Sequence, residues 1–549
     1  MLKDYSILIG GEAGQGSRMA ARIIAEIFNF LGYEIYIYED YQSLIRGGHN
    51  FSQLRASEKE FQSRKEKIDF LLALDEKTIN LHKKDLEKNG LIIFNSDKIK
   101  SKRGIGIPIE KITKEMGGKP IMANVALISA FSKIVGIDWE ILEEVLRKEI
   151  KHEIDLNLKI GKRAYEISKN LLKITQVRPM STTLLLTGNE ATAWGLAKAG
   201  LKFYFAYPMT PATTIMNFLA KREDLKVKVI QPENEISVIN MALGASFAGG
   251  KSAVGTSGGG FALMVEALSL AGQSETPILI VESQRGGPST GMPTYNLQGD
   301  LLFVLSAGHG DFPRFVIAPG DAEQCLYYSA LGLNLAWKYQ TPVIFLLDKD
   351  VSENTFSVNE KIFEKVKEEN PIFWDKNGEY KRYKITKDGI SPLAFPGQKN
   401  AIIKTSSYEH DEYGITIESE EVEKMQEKRL KKFETMKKEV EKLEAVKIYG
   451  NKKSEIAIVA WGQTKGVAIE AAENLGIKLV QPIFIEPFPK KQMEKALKGV
   501  KKLFSVELNI TGQMAKLLNQ NGIKVDGKIL KYTGRPFLAK EIEDKLKNL

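Results

Sequence analysis

The chain of 549 residues contains a single cysteine, Cys325, and only five histidines. One thiol closes no internal disulfide, and no Cys-x-x-Cys or multi-cysteine pattern is available to hold zinc or an iron–sulfur cluster. The histidines are scattered and no H-E-x-x-H pair occurs, which weighs against a metal hydrolase. The G-x-x-x-x-G-K-[ST] phosphate loop is missing, as is a nucleophile elbow of the G-x-S-x-G kind with a credible triad. No apolar run approaches the ~18–20 residues of a membrane span. The opening Met1-Leu2-Lys3-Asp4-Tyr5 leads into a short strand-like run at 6–9 that lacks the apolar core and cleavage site of a signal peptide, so a soluble cytoplasmic chain is expected. Neither charge sign dominates, since 78 Lys plus Arg face 69 Asp plus Glu, and no block reads as a nucleic-acid arm. The balance describes a Lys-rich solvated surface and leaves room for an acidic protein partner.

Hydrophobic residues at 43% and charged residues at 27% are ordinary for a globular chain. At roughly 100–200 residues per domain the length suits about three or four domains. The run at 5–10 reads as a buried strand, 11–16 as a glycine turn and 17–31 as a helix with Ser17 near its N-cap. Strands at 34–38, 68–74 and 91–94 continue the alternation and predict an α/β unit with a parallel sheet over 1–178. A second series opens at 183–187, and six short apolar strands at 203–206, 227–230, 253–256, 278–282, 315–317 and 343–347 predict a doubly wound domain over 179–355. Period is lost over 356–450, where 374–383 and 391–396 are loop-like and 418–447 is a long charged helix with a solvated face. A last α/β unit occupies 451–549, with strands at 455–460, 478–480 and 503–507.

Several strand-to-helix loops carry chemistry-bearing residues. Gly10, Gly11, Gly14 and Gly16 have the spacing G-x-x-G-x-G, and Glu39 and Asp40 close the second strand where a ribose-binding acid would sit. The cluster is either a nucleotide or coenzyme cradle or a tight turn that serves packing. Arg46-Gly47-Gly48-His49 sets a flexible backbone beside a cation. Tyr207-Pro208-Met209-Thr210-Pro211 follows a strand at the carboxyl edge where open sheets bind ligands, and its prolines leave the Thr210 hydroxyl on a stiff loop. Glu233-Asn234-Glu235 opens a helix with a small, apolar interior, where an acid either serves chemistry or complements the helix dipole. Gly255-Thr-Ser-Gly-Gly-Gly260 and Gln284-Arg-Gly-Gly-Pro-Ser-Thr-Gly-Met-Pro-Thr294 are two further strand-end loops, the second presenting Arg285, a planar cation suited to a carboxylate. All four loops of this domain outline one crevice.

These four loops, in this order, resemble the α subunit of the 2-oxoacid:ferredoxin (acceptor) oxidoreductases, which are thiamine-diphosphate enzymes. The glycine cluster with Arg46-Gly47-Gly48-His49 resembles that family's γ domain, fused here ahead of α. Glu507-Leu-Asn-Ile-Thr-Gly-Gln513 and Tyr532-Thr-Gly-Arg-Pro-Phe537 resemble its transketolase C-terminal-like domain. The likeness implies a Rossmann-like γ domain, a pyrimidine-type thiamine-diphosphate-binding domain and a C-terminal domain. It implies that Glu235 hydrogen-bonds the aminopyrimidine ring, that Thr210 and Arg285 hold the oxo-acid end of the substrate, and that Tyr207, Pro208, Gly258 and Gly259 line the cofactor site. It also implies a β subunit that carries the diphosphate with Mg²⁺ and a [4Fe–4S] cluster, in an αβ heterodimer or its dimer. The sequence agrees in lacking cluster cysteines and a GDG motif of the diphosphate-binding kind. The implied reaction is oxidative decarboxylation of a 2-oxoacid, 2-oxoglutarate favoured, with coenzyme A as acyl acceptor and ferredoxin as electron acceptor. The alternatives are a pyruvate-specific member and a non-catalytic scaffold subunit. A nucleotide-dependent dehydrogenase would rest on the first glycine cluster.

Overall fold

The computed structural model describes residues 3–44, 47–178 and 183–548. The chain forms two compact units, Met1–Leu185 with Asn354–Asn359, and Leu186–Glu353 with Glu360–Leu549.

The first unit is built on an eight-stranded sheet in the order Ile105–Ile107, Leu86–Asn95, Ile68–Ala73, Asp4–Ala13, Gly47–Ser57, Glu34–Asp40, Thr355–Asn359, Thr183–Thr187. Asp4–Ala13 takes a central place because Ile7, Leu8 and Ile9 are apolar towards both faces, and all three are buried. Gly14 and Gly16 turn the chain with φ of 89° and 79°, a region that a side chain would strain. The helix Ser17–Phe30 then packs Ile23, Ile24, Ile27 and Phe28 into the core.

The expected parallel sheet is corrected by Gly47–Ser57, a strand absent from the sequence reading that runs antiparallel between Asp4–Ala13 and Glu34–Asp40. It buries polar residues, each paired, and so loses the apolar alternation by which strands are recognised. Gln53 donates to Ser6 Oγ at 2.9 Å, Ser52 to Glu39 Oε2 at 2.7 Å, and Arg55 to both Asp4 carboxylate oxygens at 2.9 and 2.8 Å. Gly47 and Gly48 open this strand, while Arg46 lies outside the described residues. Glu39 and Asp40 are buried in the sheet, where Asp40 accepts the Tyr38 hydroxyl at 3.0 Å.

The second unit holds two sheets. In the first, six parallel strands follow the expected series, and the order is Phe484–Glu486, Phe315–Ile317, Pro342–Asp348, Ile278–Gln284, Ser252–Thr256, Phe203–Phe205, Lys228–Ile230. Its edge strand Phe484–Glu486 is antiparallel and comes from the last part of the chain. The five-stranded sheet runs Val446–Gly450, Lys478–Pro482, Ile456–Ala460, Lys502–Glu507, Gly527–Leu530.

Three strands shift the expected limits. Thr183–Thr187 joins the first unit's sheet, not the second series. Thr355–Asn359 spans the 355/356 limit and pairs with Glu34–Asp40 through Thr355 and Ile37. Val446–Gly450 lies before 451 yet pairs with Lys478–Pro482. Each covers the edge of a strand whose N–H and C=O groups would otherwise face outward.

The charged helix spans Ser419–Val440, and one of its faces is not solvated, as Lys428, Arg429 and Lys432 are buried. Lys428 Nζ donates to Glu275 Oε1 at 2.5 Å and Lys432 Nζ to Glu275 Oε2 at 2.9 Å, all three side chains being inaccessible. Burial alone would raise the Glu275 carboxyl, but Lys428, Lys432 and Arg382 hold it well below the usual range. Burial pulls Lys428 down to about 8. Removing one partner of such a group strands the others without compensation. Glu275→Gln is therefore expected to lower stability by about 3–5 kcal/mol in chemical denaturation. Lys424→Ala, which breaks the exposed Lys424–Glu421 pair on the same helix, should leave the denaturation midpoint almost unmoved.

Candidate functional site

Parallel pairing sets Phe205 beside Val254, Thr256 beside Glu282 and Phe205 beside Ile230, so four neighbouring strands end at one edge. The four singled-out loops all leave from this edge, which is where open α/β sheets bind ligands.

Asn234 caps the helix Glu235–Phe247, its side chain accepting the Ser237 N–H at 2.9 Å. Glu235 thereby becomes the first helical residue with its side chain turned inward, 4% exposed, and its Oε1 has no hydrogen-bond partner. A Cβ on Gly260 would lie 2.6 Å from Glu235 Oε1 and 2.1 Å from Thr256 Oγ1, so only glycine lets the carboxyl rest against this turn. A buried acceptor without a donor is costly. Glu233 differs: it accepts the Ser237 hydroxyl, which holds its carboxyl below the usual range, and it faces solvent.

Arg285 is half-buried and donates from Nη1 to the Thr210 carbonyl at 2.8 Å. Burial draws its guanidinium down from the ordinary value, though a guanidinium stays charged in a protein. Thr256 Oγ1 reaches Met209 Sδ at 4.0 Å, which links the Tyr207–Pro211 loop to the glycine turn. Tyr207 and Pro208 are exposed on the rim. Gly258 lies against Asp300, whose Oδ2 would be 2.5 Å from an added Cβ, whereas Gly259 has open space within 4 Å. The Ser257 hydroxyl is buried and makes no hydrogen bond, so it has no base to activate it. Among the described residues no group of three or more His, Cys, Asp or Glu is placed to hold a metal ion.

Two acids beneath this floor escaped the sequence reading. Glu282 is wholly buried with no N–H or hydroxyl donor on either carboxyl oxygen, and its neighbour is the Asp300 carboxyl. Burial, then Asp300, pushes Glu282 well above the usual range, and burial pushes Asp300 up to about 6. A neutral Glu282 donating to Asp300 fits the raised Glu282 carboxyl, while that bond lowers Asp300 against the larger effect of burial. The available signal was an acid ending the all-apolar run Ile278-Leu-Ile-Val281, a place where a charge would have no solvent.

A parallel α/β sheet whose loops gather at one strand-end edge is the kind of domain that binds a ligand there, and comparison with known proteins specifies the family. Residues 195–430 match the family model "Pyruvate flavodoxin/ferredoxin oxidoreductase, thiamine diP-bdg". Residues 6–167 match "Pyruvate ferredoxin/flavodoxin oxidoreductase" and 454–548 match "Pyruvate:ferredoxin oxidoreductase core domain II". The 2-oxoacid:ferredoxin oxidoreductase subunit alpha of Saccharolobus solfataricus is 34% identical over 99% of this chain and 97% of its own. The 2-oxoglutarate synthase subunit KorA of Methanocaldococcus jannaschii is 34% identical over 59% of this chain and 88% of its own. A solved 2-oxoglutarate:ferredoxin oxidoreductase from Magnetococcus marinus, with 2-oxoglutarate, coenzyme A and succinyl-CoA bound, superposes with a TM-score of 0.90 at 31% identity, covering 100% of this chain and 99% of that one. The chain belongs to the family of 2-oxoacid:ferredoxin oxidoreductase α subunits.

The acid pair beneath the site makes stability depend on pH. A carboxyl that titrates at about 6 when folded binds more protons than the unfolded chain between its two pKa values, so its contribution to stability falls as pH rises through that window. Asp300→Asn should gain on the native chain by roughly 1–3 kcal/mol between about pH 4 and 6, with no further gain above. Thermal unfolding of both chains across that range checks this, and a difference that does not vary with pH would contradict it.

Proposed function

We propose that this chain is the α half of an enzyme that joins a 2-oxoacid, 2-oxoglutarate preferred, to coenzyme A, releasing CO₂ and passing two electrons singly to ferredoxin. The observation that carries this reading is the buried, unpartnered Oε1 of Glu235 above Gly260. Thiamine diphosphate fits such a place: its aminopyrimidine ring is flat, offers a nitrogen that can share a proton with a carboxyl, and suits a turn stripped of side chains at Gly258 and Gly259. When bound, it supplies the nucleophilic carbon that adds to the 2-oxo group and accepts the electron pair left by CO₂. Glu235 holds the proton at the ring nitrogen, and Tyr207 and Pro208 border the ring from the rim. Arg285 pairs with the substrate carboxylate, and the Thr210 hydroxyl, beside it, donates to the oxo-acid end.

The preference for 2-oxoglutarate is supported by the ligands of the Magnetococcus enzyme, and the relatives from Methanocaldococcus jannaschii and Mycobacterium tuberculosis bear 2-oxoglutarate names. A β subunit is needed because this chain has one cysteine and so no ligand set for a cluster. Mg²⁺, the diphosphate and a [4Fe–4S] cluster are assigned to that subunit. Ile236 and Met241, exposed on the helix that Glu235 opens, and Leu263, exposed after the glycine turn, offer it an apolar seat. The reading places the enzyme in the cytoplasm.

The test is Glu235→Gln in the complex coexpressed with the β subunit. Assembly should persist while kcat falls about 100-fold or more, the scale of a lost acid–base function. Normal turnover would move the role elsewhere, with Glu233 next. In the same complex Arg285→Ala should raise KM for the 2-oxoacid more than for coenzyme A, because it removes a contact to the carboxylate. Native kcat/KM for pyruvate above that for 2-oxoglutarate would overturn the substrate preference alone.

A further inference from the structure

We propose that Arg535 is a positioning residue for the 2-oxoacid, acting through Tyr295 on the loop that presents Arg285. The inference rests on the reading that Arg285 meets the substrate carboxylate.

Among the described residues Arg285 donates one side-chain hydrogen bond, to the Thr210 carbonyl, so the direction of its guanidinium depends on where the following loop is held. That loop closes on itself. The Gly286 N–H donates to the Tyr295 carbonyl at 3.0 Å, the Met292 N–H to the Gly286 carbonyl at 2.6 Å, and the Tyr295 N–H to the Met292 carbonyl at 3.1 Å. Tyr295 is therefore the point at which the loop returns to the residue next to Arg285, and whatever fixes Tyr295 fixes that residue.

What fixes Tyr295 comes from the far end of the chain. The Arg535 guanidinium carbon lies 3.7 Å from the centre of the Tyr295 ring, a close cation–π stack. The neighbouring Asn296 N–H donates to the Gly534 carbonyl at 3.2 Å. Gly534 is in the left-handed region at φ 76°, and a Cβ there would come within 2.9 Å of Met292 Cε and 3.2 Å of Tyr295 Cβ, so the two backbones are in contact. Beyond Tyr295 the Gln298 N–H donates to the Leu508 carbonyl at 2.7 Å, and Asn509 Nδ2 donates to the Gln298 carbonyl at 3.1 Å. The loop thus leaves one sheet at Gln284 and is received at Leu508 and Gly534, beyond the ends of two strands of another. Within this clamp Arg535 lays a charged side chain over the ring of the returning residue. Losing it frees Tyr295 while the backbone bonds keep the fold.

The experiment uses the assembled complex and four single variants, Arg535→Met, Arg535→Lys, Tyr295→Leu and Tyr295→Phe, with Arg285→Ala as reference. Two readouts are taken: steady-state constants for the 2-oxoacid and for coenzyme A, and the calorimetric Kd of the 2-oxoacid without coenzyme A. Arg535→Met and Tyr295→Leu should each raise the 2-oxoacid KM and Kd by roughly three- to tenfold, the scale of one cation–π contact, and leave KM for coenzyme A unchanged. Arg535→Lys should recover part of the loss and Tyr295→Phe nearly all, because one keeps the cation and the other keeps the ring. The double variant Arg535→Met with Tyr295→Leu should be no worse than the poorer single, since both remove one contact. If Arg285→Ala weakens the 2-oxoacid and Arg535→Met does not, the positioning role is refuted and the reading of Arg285 stands. If Arg285→Ala spares the 2-oxoacid, that reading falls and the present inference with it. A uniform fall in kcat and melting temperature without a split between the two substrates would make Arg535 a brace only, which also refutes the proposal.

Discussion

Parallel hydrogen bonding of Ser252–Thr256 to Phe203–Phe205 on one side and Ile278–Gln284 on the other is the constraint from which the site follows. Parallel neighbours need long crossovers, so every loop that leaves a strand end arrives at the same edge. Proline at 208 and 211, glycine at 255–260 and arginine at 285 are distant in sequence and adjacent in space for that reason alone. The register is as important as the direction. A slip of one residue would turn Thr256 away from the Glu235 carboxyl and bring Glu282 out of the sheet interior, because successive side chains face opposite sides.

Three of the buried carboxyls in the second unit are handled in three ways. Glu275 is ionised and surrounded by Lys428, Lys432 and Arg382, so its charge is neutralised in place. Glu282 has no cation and is kept neutral against Asp300. Glu235 has neither cation nor donor for its Oε1. The first arrangement is complete within the chain. The third leaves an acceptor open at the strand-end edge, and on the proposed reading it is completed by the bound cofactor.

Much of this was legible in the sequence where local chemistry decides the outcome. Strand, glycine or proline turn, helix is a local pattern, and it located the Tyr207–Pro211, Glu233–Glu235, Gly255–Gly260 and Arg285 loops because parallel strands in series share an edge. Features decided by distant residues were not legible. Gly47–Ser57 looks too polar for an inner strand until Ser6, Asp4 and Glu39 are seen to match it. Lys428 and Lys432 look solvated until Glu275 is found between them, some 150 residues earlier, at a separation that no helical period encodes. The same holds for Tyr295 under Arg535 and for Phe484–Glu486 on the edge of a sheet whose other strands precede it.

The return of the chain to its first sheet at Thr355–Asn359 limits how this protein can be divided. Beyond pairing with Glu34–Asp40, that segment satisfies individual backbone groups: Ser357 Oγ accepts the Ile35 N–H at 2.8 Å, and Asn354 Oδ1 accepts the Glu39 N–H at 3.2 Å. A fragment cut after residue 178 would lose these acceptors together with Thr183–Thr187. It would present Glu34–Asp40 as a bare strand margin rich in Tyr and Ile, a template on which copies stack edge to edge. A soluble stand-alone version of the N-terminal unit therefore has to carry residues 354–359 with it, grafted behind a short linker, or replace their cover by lysines along that margin.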